Sequence, residues 1–452
     1  MKRLVVFWLL LAAVCFLFAD DEPAARPIEE QQRDTIRFGT ENEIAALIQT
    51  LKSENAAYLD DELITLVQGT MNRSILSGVF GFFADREKGG LEDRALRALD
   101  EWDLEANDTV LAAVDYLGKV KAAAAVTPLK TLIGAGEQRF LNNALRALGR
   151  IGGGNADTQD EIAGYLIDYY TDRIPADETR REIITALGEA GSPEGVSFLA
   201  DIAVNNEERA AIRMAALESL SKIGDPAGLD AVLAGVRSQD PNVRSTAMAA
   251  LGPFSGPEVD RTILEAFRDS FWRTRIGAAQ AAGRRRLLEA VPYLAYRAER
   301  DDVPQVKDEA IRALGAIGND ESIAILDTLF GNRRNADRVR ILAAEMLIRD
   351  HPDQYAGKVI VELDEAKTRN QTPLYNGLLR VISTAKTPSV EALTRRFLTT
   401  GGVIEKSYGL DMAANNEFRS LRPEVEALTD PKNGSLVRKA RALLEKFDGT
   451  SN

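Results

Sequence analysis

Histidine and cysteine, on which most nucleophilic and transition-metal chemistry rests, occur once each in 452 residues, as His351 and Cys15. Disulfide frameworks, cysteine–histidine zinc sites, cysteine nucleophiles and serine–histidine triads are thereby excluded or nearly so. No metal and no cofactor site is expected. An enzyme built from this chain would be left with carboxylate, lysine, arginine or tyrosine chemistry. The carboxylate runs Asp60-Asp61-Glu62 and Asp301-Asp302 invite an acid–base reading. Both stand just before apolar runs, where acids cap helix N-termini, and capping is the favoured reading. Gly152-Gly153-Gly154 lacks a following Gly-Lys-Ser/Thr and a preceding strand, so it reads as a flexible linker, not a phosphate loop.

One stretch stands apart. Between residues 268 and 300 there are eight arginines, at 268, 273, 275, 284, 285, 286, 297 and 300, against Asp269, Glu289 and Glu299. The net +5 sits in a protein of formal charge −13, and Phe271, Trp272, Tyr293 and Tyr296 are interleaved with it. Arginine with tryptophan and tyrosine is the composition of binding hot spots. Arg268, Trp272, Arg273, Arg284, Arg285, Arg286 and Tyr296 are therefore the candidate partner-binding residues. The competing reading makes Arg275 structural and the aromatics core.

These residues must be held by something, and a repeat supplies it. The phrase Ala-Leu-x-Ala-Leu-Gly recurs as Ala144–Gly149, in degenerate form as Ala247–Gly252, and as Ala310–Gly315. Its last position falls at Gly118, Gly149, Gly188, Ser221, Gly252, Gly283, Gly315, Ile348, Ser383, Ala414 and Glu445. The intervals are 31 to 35 residues apart from one of 39. Two short helices and two turns need about 30 residues, so each period is a helical hairpin. Asp225-Pro226 starts one helix, with Leu229, Val232, Leu233 and Val236 at helical spacing, and Asp240-Pro241 starts the next. Gly252-Pro253 is expected to end it, glycine as a left-handed cap.

At these residues the chain resembles the HEAT-repeat family, in its short bacterial form also called PBS-lyase HEAT-like repeats. Asp240-Pro241-Asn242-Val243-Arg244 followed by Ala247–Gly252 carries the likeness. A basic residue recurs eight positions before the repeat's last position, at Arg180, Arg213, Arg244, Arg275, Lys307 and Arg340. The resemblance implies an internal polar ladder through these six, with Asp240 at the partner position, where other copies have Ala, Phe or Val. It implies an all-α, right-handed alpha-alpha superhelix, a HEAT-like repeat solenoid of about 11–13 hairpins, with the second helices lining one face. Asp115, Arg146, Glu218, Arg312, Glu345, Arg380 and Asp411 would point outward there. Di-iron hydroxylases of similar fold need repeated His-Glu pairs, which one histidine cannot supply.

Lys2-Arg3, the apolar run Leu4–Phe18 and the acids after Ala19 read as an export signal cut after Ala19. Its removal takes Lys2, Arg3 and no acid, shifting the formal charge from −13 to −15. An acidic chain is repelled by phosphate backbones, so no nucleic acid is expected as partner. Contact with a membrane would need lipidation of Cys15 or an uncleaved signal. The expected organisation is a signal over 1–19, a flexible acidic leader over 20–40, divergent N-terminal cap repeats over 41–104, a HEAT-like array over 105–447, and a disordered tail over 448–452. Expected function is a non-enzymatic exported scaffold or adaptor, periplasmic in a bacterium, whose partner is another protein. The alternatives are a carboxylate-using accessory factor or enzyme of the envelope, or an anionic polymer or lipid headgroup bound at Arg268–Arg300. Nothing in the sequence specifies an oligomeric state.

Overall fold

A computed structural model describes residues 27–173 and 175–449, so the expected signal, Cys15 included, lies outside the described residues. Every regular element among those residues is helical: twenty-six α-helices pair into thirteen hairpins, with short 3-10 turns between some of them. The chain divides into two compact units, residues 1–195 and 196–452. Five described hairpins belong to the first unit and eight to the second.

In the first unit the second helices are Glu41–Glu54, Arg73–Asp85, Asn107–Lys119, Gln138–Gly152 and Asp177–Ala190, each packed on the next. In the second they are Ala210–Ile223, Pro241–Ala250, Trp272–Arg285, Pro304–Ile317, Asp337–Asp350, Thr372–Ser383, Val403–Asn415 and Leu436–Gly449, again in consecutive contact. The core lies between this row and the row of first helices. Ala144, Leu145, Ala147 and Leu148 are buried on one side of their helix, while Arg146 points out. Burying each such leucine stabilises by roughly 2 kcal/mol.

Local signals set the helix starts. Asp240 accepts from the N–H groups of Asn242 and Val243, and Pro241 supplies the first helical residue without an N–H to lose. Thr40 and Glu43 make a reciprocal capping box. The helix ends differ from expectation. Gly252 is not in the left-handed region; that conformation falls three residues beyond the repeat's last position, at Lys121, Gly191, Gly224, Arg286, Gly318 and Glu417.

The recurring glycine has another task, close approach. A Cβ at Gly118 would lie 2.9 Å from Ala147 Cα, one at Gly149 2.7 Å from Ala186 Cα, one at Gly283 3.0 Å from Ala313 Cα, and one at Gly315 2.9 Å from Met346 Cγ. Each glycine lets its helix press on the residue two positions before the next repeat's last position.

Three boundaries shift. Residues 28–38, expected within a flexible leader, form a helix that packs as the first member of a hairpin with Glu41–Glu54. The first hairpin therefore begins before the expected cap boundary at residue 41. Gly152 and Gly153 are not a linker: a Cβ on either would collide with Ala190 or with the Glu189 carbonyl. The 39-residue interval instead reflects an 18-residue first helix, Ala156–Arg173. At the C-terminus, residues 448 and 449 belong to the last helix.

Candidate functional site

The six basic residues of the repeat all lie in second helices, and Arg213, Arg275 and Arg340 are buried. Arg213, Lys307 and Arg340 reach the C-terminal end of their own hairpin's first helix, while Arg244 and Arg275 reach the turn just after it. Arg213 Nε donates to the Ala203 carbonyl at 3.0 Å, Lys307 Nζ to Glu299 at 2.9 Å and Arg340 Nε to Phe330 at 3.0 Å. Arg244 reaches the Ser238 carbonyl, Arg275 that of Asp269, and Arg180 the Tyr170 hydroxyl. A cation there satisfies carbonyls that the helix leaves without partners.

Carboxylates from the following hairpin close several of these contacts. Arg244 holds Asp269 at 2.9 and 3.1 Å, Arg275 holds Asp301 at 2.7 and 2.8 Å, and Arg340 pairs with Glu362 at 2.6 Å. Burial pushes the Asp269 and Asp301 carboxyls up, but hydrogen bonds from Arg244 and Arg275 outweigh it and hold both below the usual range. The expected partner Asp240 serves as a helix cap instead. Sequence reasoning missed Asp269 and Asp301 because they stand 25 and 26 residues beyond their arginines, across a hairpin boundary.

Of the acid runs, Asp301 does not cap helix Pro304–Ile317, whose N-cap is Val303; it accepts from the Val303 N–H at 3.0 Å in the turn before the helix and binds Arg275. Asp60 is not a cap. It is buried and held by Arg86 at 2.6 Å and Lys88 at 2.7 Å. One other titratable cluster surrounds a cavity of about 130 Å³: Asp364, Lys367, Tyr375, Arg396 and Glu405. Glu405 takes Lys367 at 2.5 Å and the Tyr375 hydroxyl, while Arg396 grips Asp364 at 2.7 and 2.9 Å. Burial raises Glu405, yet those partners and the Gly402 N–H bring it down to about 2. Burial and Glu405 push Tyr375 up. A carboxylate locked in its ionised form by bound donors is poorly placed to shuttle protons. Among the described residues no group of three or more His, Cys, Asp or Glu could hold a metal, and no helix is long and apolar enough to cross a membrane.

Two open cavities lie along the second helices of the 196–452 unit. One cavity, about 440 Å³, is lined by Glu218 and Ser221, by Ser245, Thr246, Ala249 and Ala250, and by Trp272, Arg273, Ile276, Gly277 and Gln280. A second, about 450 Å³, is lined by Asp308, Arg312, Arg338, Ile341, Glu345 and Arg380 among others. Together they span six consecutive second helices, Ala210–Ile223 through Thr372–Ser383. Glu218, Arg312, Glu345 and Arg380, expected to point outward, are among the lining residues.

The arginine band does not form one patch. Trp272 and Arg273 face the groove, with the Arg273 guanidinium 4.8 Å from the indole centroid. Arg268 and Tyr296 line a different cavity beside the first helix Val291–Arg300. Arg284 is exposed, with its guanidinium next to Gly252. Arg285 is not available to a partner: it is half-buried and donates to Asp260 at 2.6 and 2.9 Å and to the Phe254 carbonyl. Arg286 adopts the left-handed conformation that ends its helix. Arg275 is buried under the band, as its place in the repeat implied.

The sequence matches the family described as Spirochaete HEAT repeat protein over residues 36–443. No curated protein matches the chain. Among solved structures it is similar to the karyopherin Kap121p bound to the extreme C-terminus of the protein phosphatase Cdc14p, at 12% identity and a TM-score of 0.46, covering 93% of this chain and 53% of that one. It is also similar to Kap121p bound to Pho4p, at 12% identity and 0.45, covering 94% and 54%, and to Kap121p bound to RanGTP, at 13% and 0.42, covering 95% and 54%. The chain thus spans about half the length of those proteins. The family match runs across nearly all of the hairpins, and this chain belongs to the spirochaete HEAT repeat proteins.

Proposed function

We propose that this protein is a non-enzymatic scaffold that holds a partner protein along the second-helix face of its 196–452 unit. HEAT-repeat solenoids are commonly protein-binding scaffolds. The observation that carries the reading here is the pair of open cavities over six successive second helices, with Trp272 and Arg273 in one and Arg380 in the other. Arg273 and Arg380 make no ion pair with any described residue, and both are exposed.

Trp272 offers a large apolar surface at low entropic cost, and the arginine forks can take carboxylates two hydrogen bonds at a time. Sites of this breadth suit an extended protein surface; a small molecule would remain largely in water. The proposal places the mature chain outside the cytoplasm of a bacterium, in the periplasm, on the strength of the signal-like residues 1–19.

Capture experiments with the mature chain from its own cells test the groove. A partner should be retained by wild type and by Arg146→Ala, and lost from Trp272→Ala, Arg273→Glu. Retention by the double variant, or turnover of a substrate by the purified protein, would contradict the proposal. Residues 1–19 fused to a reporter active only outside the cytoplasm should give signal, and a silent fusion would remove the export claim.

A further inference from the structure

Arg268, Pro292, Tyr293, Tyr296 and Arg297 line a cavity of about 400 Å³ that shares no lining residue with the groove. It is built on the first-helix row, from helix Val291–Arg300 and the loop after helix Pro257–Ala266. Tyr293 stacks on the buried Phe267 with ring centroids 5.7 Å apart, which fixes the floor. Tyr296 is 54% exposed.

Guanidinium groups stand over both rings: Arg268 lies 5.7 Å from Tyr293, and Arg297 and Arg300 lie 5.3 and 5.9 Å from Tyr296. Arg297 also holds Asp301 at 3.2 Å. Arg268 and Arg300 are exposed and make no ion pair with any described residue, while Arg275 and Arg285 of the same segment are each bound to carboxylates. Unpaired arginines are conspicuous where acids outnumber bases by 69 to 56. Stacking on an aromatic face orders the fork before any ligand arrives and leaves its N–H edge open.

We propose that this cavity is a second docking site, independent of the groove, that takes an acidic peptide segment. Its carboxylates would bind Arg268 and Arg300, and its side-chain stems would lie on Tyr293 and Tyr296. A bilayer is a poorer fit. A planar array of anionic headgroups would be pressed against the exposed Glu299 and against Asp302, which is 88% exposed, whereas a single strand can follow the concavity.

The test uses a fluorescein-labelled deca-glutamate peptide, read by anisotropy at about 50 mM salt, where exposed charges are weakly screened. Saturable binding is expected, weakened by about tenfold or more in Arg268→Glu, Arg300→Glu, as loss of two charge-assisted contacts implies. Tyr296→Ala should weaken it less, and Trp272→Ala, Arg273→Glu should leave it unchanged, which separates this site from the groove. The affected side chains are exposed, so melting curves of the variants should superimpose on wild type. Absence of saturable binding, equal loss in the groove variant, or tighter binding to phosphatidylglycerol vesicles than to the peptide would overturn the proposal.

Discussion

The second-helix faces of the two units are built from the same residue types and use them differently. In the first unit some of the outward charges meet each other along the row. Arg146 binds Glu182 of the next second helix at 2.9 and 3.0 Å, and Arg150 binds Asp115 of the preceding one at 2.7 Å. In the second unit Arg338 still meets Asp308 and Lys439 meets Asp411 at 2.7 Å, but Arg273, Arg284 and Arg380 find no carboxylate among the described residues, and the surface opens into two cavities. Charge that is satisfied within the stack has little left to offer a partner. The difference supports the proposed recognition by the second unit, around Trp272, Arg273 and Arg380.

The comparison can be broken most severely below the groove. Arg275→Ala would leave Asp301, which has no exposed side-chain surface, with only Arg297 and the Val303 N–H. A loss of about 3 kcal/mol is expected, the scale for orphaning a buried charge. Denaturant unfolding checks it; a change below about 1 kcal/mol would mean that the buried pair is not what joins these hairpins. Next comes the seam of the first unit. Gly149→Val would drive a side chain into the Ala186 backbone, 2.7 Å from the ideal Cβ, costing about 2 kcal/mol. Thermal melting reads that cost. The smallest effect belongs to the exposed pair: Arg146→Ala should cost at most about 0.5 kcal/mol, since the Arg146 side chain is 41% exposed, and the cost should shrink further in salt. A large loss there would erase the distinction between seam and surface.

Much of this fold was legible because a repeat states its own period. Ala144–Gly149 and Ala310–Gly315 mark second helices where they fall, and in other copies Arg213, Arg275 and Arg340, eight residues before the repeat's last position, are buried. What escaped was non-local. Asp269 and Asp301 meet their arginines only once two hairpins stack, and no spacing rule within one copy points to them. The left-handed turn expected at Gly252 falls three positions further on in other copies, and the sequence does not distinguish a helix-ending glycine from a close-approach one. Helix Ile28–Phe38 was hidden by Pro23, Pro27 and dense charge, and it is held by one buried side chain, Ile36. The arginine band divided for a similar reason: residues adjacent in sequence, such as Arg284, Arg285 and Arg286, leave a helix in different directions.

The proposed function depends on the groove recognising protein while the seam beneath it holds the hairpins together. A photoreactive amino acid placed at Gln280 in the groove, or at Asn142 on a second helix of the first unit, measures that directly. The account predicts that position 280 captures one defined partner in living cells, that Arg273→Glu abolishes the adduct without moving the melting temperature, and that position 142 captures nothing comparable. Equal capture at both positions, or an adduct at 280 indifferent to Arg273, would contradict it.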